Sequence, residues 1–153
     1  MAAPDRLDHI GVHTDYFAAT DDEAAKHVID RGPKAAGLPT VEAKSLDPIV
    51  TMATLEQILV GTDAMTIIND SRDAVIAQAG KEGPLIATIR SSLVQGLGKP
   101  DPAKLLTTAR QWAMTEELAD ANPHDLYEFL WNLAHLAQWA VASQQRIYCW
   151  ISQ

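Results

Sequence analysis

Three times in this chain an acidic or amide side chain is followed directly by proline, at Asp47-Pro48, Asp101-Pro102 and Asn122-Pro123. The first residue of each pair can accept hydrogen bonds from the unpaired N–H groups of a helix's first turn. Proline at the first helical position then supplies a suitable φ and has no N–H to leave unsatisfied. Each pair therefore predicts a helix start. The helix after Pro48 runs through Leu55, Ile58 and Leu59 to Gly61, the alternative being a short extended piece at Ile49-Val-Thr51 with Thr51 or Thr54 as the cap. The helix from Pro102 to Leu118 buries Leu105, Ala109, Trp112 and Ala113. The helix from Pro123 to Ser143 carries a core stripe of Leu126, Leu130, Leu133, Ala137 and Ala140. The last two helices form an antiparallel hairpin across the short loop Asp120-Ala-Asn.

Extended segments flank this helical part. His9 to Ala18 mixes β-branched and aromatic residues, with Ile10, Val12 and Tyr16 near one face, and predicts a strand. Arg146 to Ser152 predicts a closing strand that pairs with others, the N-terminal one being a candidate partner. Thr20-Asp-Asp-Glu23 matches a capping box, followed by a helix that buries Ala24, Ala25, Val28 and Ile29 and ends at Gly32-Pro33. Thr40 to Ser45 predicts a short edge strand. In the middle, Ala64 to Ile68 predicts a strand and Ser71 to Gln78 a short helix closed by Gly80. The apolar spacing from Leu85 to Leu97 is helical, although its first half also suits a strand. The expected fold is α+β, a predominantly helical single domain over residues 9–153 with a small sheet that includes the N- and C-terminal strands. Residues 1–8 are expected to be a flexible tail.

Twelve Lys and Arg against twenty Asp and Glu give a net charge of −8, and no basic stripe is present. A surface of that sign disfavours nucleic acid, whose phosphates need clustered cations. No run approaches the length of apolar chain that spans a bilayer, and no basic-then-apolar leader opens the sequence, so a cytoplasmic setting without membrane association is expected. The single cysteine, Cys149, excludes an internal disulfide and, between Tyr148 and Trp150, is read as a small buried hydrophobe.

Candidate chemistry is sparse. Gly96-Leu-Gly-Lys99 lacks the frame and the Ser or Thr of a phosphate loop, and no nucleophile elbow, paired-cysteine motif or zinc-protease motif occurs, so no cofactor and no metal is expected. His9, His13 and Asp15 share one face of the first strand by period-two alternation, an arrangement suited to two imidazoles and a carboxylate around a metal or to a base with its orienting acid. Glu116 falls on the helical face of Leu105, Ala109 and Trp112, where burial would raise its pKa. His13, Asp15 and Glu116 are thus the weak catalytic candidates. Tyr127, Trp131, His135 and Trp139 recur every four residues on the last helix, away from its leucine stripe. That stripe is either further core or an aromatic binding surface, and these four are the candidate binding residues.

The segments Gly11-Val-His-Thr-Asp-Tyr-Phe-Ala18, Asp47-Pro-Ile-Val-Thr51, Trp112-Ala-Met-Thr-Glu-Glu117 and Tyr148-Cys-Trp-Ile151 resemble a group of small proteins from actinomycete bacteria. In layout, with an N-terminal strand, several helices, a long helix and a final strand, the chain also resembles the YfbM-like family of bacterial proteins. These resemblances imply a bacterial habitat and an architecture, and no site residue follows from them. The expected function is a non-enzymatic protein-interaction module of the immunity or regulator type, with a protein partner or a homodimer as the assembly. The alternative is a small hydrolase or metal-dependent enzyme with a site near the first strand.

Overall fold

The structure, a computed structural model, describes residues 13–152. The expected tail, His9, Ile10 and Val12 lie outside the described residues. The elements run β1 (His13–Ala19), α1 (Asp22–Lys26), β2 (Thr40–Lys44), α2 (Val50–Val60), α3 (Ala64–Asn69), β3 (Val75–Gln78), β4 (Leu85–Thr88), α4 (Ser91–Leu97), α5 (Pro102–Ala113), a 3-10 turn (Glu116–Leu118), α6 (Pro123–Ala142) and β5 (Arg146–Ser152). The fold is α+β, and one five-stranded antiparallel sheet in the order β2-β1-β5-β4-β3 holds both terminal strands at or beside its centre.

Alternation along the strands sorts side chains onto two faces. Tyr16 and Ala18 of β1, with Ile147 and Cys149 of β5, point into the larger core, where the helices cover them. Phe17, Ala19, Tyr148 and Ile86 point the other way, under Ala25 and Val28 of the α1 segment. On that thinner side Gly32, at φ +89°, lies against the Trp150 ring, and a Cβ there would sit 2.8 Å from it. The Trp150 indole N–H donates to the Ile29 carbonyl at 2.8 Å, and the Tyr148 hydroxyl to Asp22 at 2.8 Å. Glycine is required there because the turn closes directly onto an aromatic ring.

The Asx-Pro pairs act as expected at two of the three sites. Asp101 accepts from the N–H groups of Ala103 and Lys104, and Asn122 from that of His124. Asp47 also accepts, from the N–H groups of Ile49, Val50 and Thr51, but a turn intervenes and α2 begins two residues beyond Pro48. The predicted core stripe of α6 is buried throughout, joined by Phe129, Ala134 and Leu136.

The middle of the chain differs from expectation. Ala64 to Ile68 is helical, because the Asp63 carboxylate caps Thr66 through its N–H and hydroxyl, and Gln57 accepts from the Ala64 N–H. These caps outweigh the β-branched run. Ser71 to Gln78 is a turn followed by β3, which pairs with β4 as a hairpin. Gly83 in its loop comes so near the Ala79 carbonyl that a Cβ would overlap it. Leu85 to Leu97 is a strand and then a helix, so the extended alternative holds for its first half. The helix after Thr20 is capped by Asp21 and ends at Lys26, shorter than predicted. The helix from Pro102 ends at Ala113, since the Thr115 hydroxyl bonds the Trp112 carbonyl and the chain tightens into the 3-10 turn.

Trp112 is fully enclosed, and its indole N–H is shared between the Thr51 carbonyl and the Thr54 hydroxyl, each at 3.2 Å. It thereby fastens α5 to the first turns of α2. Trp112→Ala is expected to cost about 3–5 kcal/mol in chemical denaturation, as large aromatic truncations do. Trp112→Phe, which keeps a ring and deletes the N–H, should cost less.

Candidate functional site

Burial of the leucine stripe turns the opposite edge of α6 outward, and the aromatic ladder lies along it. Tyr127 stacks on Trp131 with centroids 6.4 Å apart, and Trp131 meets the His135 ring at 4.4 Å. The His135 Nδ1 lies 2.8 Å from the Trp131 carbonyl, which holds its ring along the helix. Tyr127 and Trp131 are half-buried against the core rim, while His135 is exposed and Trp139 is 43% exposed. The stripe is therefore neither core nor fully solvated. His135, Leu136 and Trp139 overhang Val41 and Glu42 of β2, and between them runs an open groove of about 750 Å³.

The strand under this groove is the sheet's edge. Ala18 donates its N–H to the Pro39 carbonyl, and the register pairs Phe17 with Thr40 and Tyr16 with Val41. Antiparallel neighbours alternate between hydrogen-bonded and non-hydrogen-bonded pairs. Val41 and Ala43 therefore bond inward to β1, while Thr40, Glu42 and Lys44 direct their backbone N–H and C=O groups away from the sheet. Among the described residues no partner reaches those outward groups.

On the other face of the same strands, Asp15 is buried and stands directly opposite Glu42. Burial, and then the Glu42 carboxylate, raise the Asp15 pKa above its ordinary value, while His13 and Lys34 pull the other way. Lys34 also pairs with Glu42 at 3.3 Å. His13 and Asp15 are thus brought close, as period-two alternation implies. Glu116 is not on the face of Trp112, because α5 has ended before it; it is exposed, and no hydrogen bond or ion pair joins it to His13 or Asp15. Among the described residues no three His, Cys, Asp or Glu side chains gather closely enough to hold a metal ion. Cys149 is fully buried, and burial pushes its thiol well above the usual range, which keeps it protonated and unreactive.

A second concavity, of about 230 Å³, opens between α2, α3 and the β4–α4 junction, with Met52, Ile67, Ile89 and Leu93 among its walls. Glu56, only 1% exposed, lies in its lining. Arg90 Nε bonds both carboxylate oxygens at 3.0 and 3.3 Å, and the Ser92 hydroxyl adds a bond of 2.8 Å. The sequence reading missed this pair. Its local signal is an acid four residues after Met52, on the buried face of an otherwise apolar helix; its partner is far along the chain. With both oxygens engaged, Glu56 ties α2 to the first turn of α4 and is not free to act as a base.

Comparison with known protein families, curated proteins and solved structures finds no match to this chain. No described helix is long and apolar enough to cross a membrane.

A carboxyl whose pKa is higher folded than unfolded holds its proton more tightly when folded, so stability falls as pH rises from its unfolded pKa through its folded one. Asp15 is such a group. Asp15→Asn is therefore expected to raise Tm at pH 7. Thermal melts across pH should show this gain disappearing below the ordinary carboxyl value of 3.8.

Proposed function

We propose that the protein is a non-enzymatic interaction module of the immunity or regulator type, working in the bacterial cytoplasm. It binds a protein partner through the outer face of α6 and the free edge of β2. The observation that carries this reading is Trp139, 43% exposed above a groove whose floor is an edge strand. An amphipathic aromatic side chain exposed beside unpaired backbone groups offers both halves of a protein contact, apolar anchorage and directional hydrogen bonds. The net charge of −8 argues against nucleic acid as the partner.

The hydrolase alternative has less support. Its candidate acid, Asp15, faces another carboxylate and a lysine, and its third residue, Glu116, lies on an exposed turn with no link to the pair.

Trp139→Asp places a charge in the groove at an exposed position, so the fold and Tm should be retained. With tagged protein in an extract of the native host, a partner held by the wild type should be lost at least tenfold by the variant. A partner retained equally by both, or none retained by the wild type, contradicts the reading.

A further inference from the structure

The edge of β2 has a pattern that selects its own occupant. Edge strands commonly carry charged residues, which repel indiscriminate pairing. On β2 the two charges are Glu42 and Lys44, both exposed, two residues apart and on the same face of the sheet. Glu42 belongs to a patch with Asp15 and Lys34 that has one acid in excess, whereas Lys44 forms no ion pair among the described residues. Each copy thus carries one acid and one base, two residues apart, along the same free edge.

For two copies to pair antiparallel through β2, outward-facing residues must meet outward-facing residues, so the two-fold axis must pass through a residue. An axis at Val41 sets Thr40 against Glu42 and leaves Lys44 beyond the paired stretch. An axis at Glu42 sets the two Glu42 carboxylates face to face, which is destabilising. Only an axis at Ala43 sets Glu42 of each copy against Lys44 of the other, with both residues in hydrogen-bonded pairs.

We propose that the occupant of this edge is a second copy of the chain, joined through β2 about Ala43 so that two five-stranded sheets become one and Glu42 and Lys44 pair reciprocally across the junction. This inference rests on the interaction reading above and names its partner. The same pairing lays the groove beneath His135 and Trp139 against the groove beside Lys44 of the second copy, which Asp125 and Leu126 help to line.

The test is sedimentation equilibrium over a wide concentration range on the full chain and three variants. The wild type is expected to dimerise. Glu42→Lys and Lys44→Glu each make both symmetry-related pairs like-charged and should weaken association about tenfold. The double variant, which exchanges the two charges, should restore it. Both substitution sites are exposed, so circular dichroism should be unchanged. A wild type that stays monomeric overturns the second copy, while a partner captured through Trp139 would still sustain the interaction reading. A dimer that the double variant fails to restore overturns the Ala43 register.

Discussion

The packing of α6 across the central strands is the constraint on which the remaining structure depends. Its buried face, from Leu126 to Ala140, covers β1 and β5, and it also meets α4, α5 and β2. Small side chains at Ala134, Ala137 and Ala140 let the helix approach closely, and the leucines fill the space on either side. Because one face of α6 is committed to so many neighbours, its rotation about its own axis is fixed. The aromatic residues at Tyr127, Trp131, His135 and Trp139 then have one place to go, the margin above β2. The site is in this sense a by-product of core packing.

Much of this was legible locally. The caps at Asp101 and Asn122, the buried stripe of α6 and the described parts of the extended runs at both ends are written in contiguous residues, and the helical period of α6 agrees with the structure. The failures have a common cause. Ala64 to Ile68 and Val75 to Gln78 are short apolar runs in which propensity is ambiguous, and in both a side-chain cap or a hairpin partner decides the outcome. Glu116 departs from expectation for a related reason: the helical spacing does not continue past the point where Thr115 turns the chain. The Glu56 and Arg90 pair lies beyond local reading altogether, since the two residues meet only after α2 and β4 are assembled.

The candidate site was half legible. Four aromatic positions at a spacing of four residues are visible in the sequence, but not whether they face core or water. The structure gives a graded answer along the ladder, from the half-buried Tyr127 to the exposed Trp139. The edge strand at β2 was legible from Thr40 to Ser45, but its place beneath the aromatic ladder was not. Its free edge follows from the strand order, and the outward direction of Thr40, Glu42 and Lys44 follows from one hydrogen bond, Ala18 to Pro39, that sets the phase of the ladder. Charge then adds selectivity to an otherwise generic edge, because an acid and a base two residues apart are self-complementary in only one of the available registers.

Association through this edge requires that the outward backbone groups of β2 become paired in the associated protein. Residue-resolved amide hydrogen exchange at several protein concentrations reads this directly. The N–H groups of Glu42 and Lys44 should be protected in concentrated protein and exchange freely on dilution, while those of Val41 and Ala43, bonded to β1, remain protected throughout. Exchange at Glu42 and Lys44 that is the same at every concentration would contradict it.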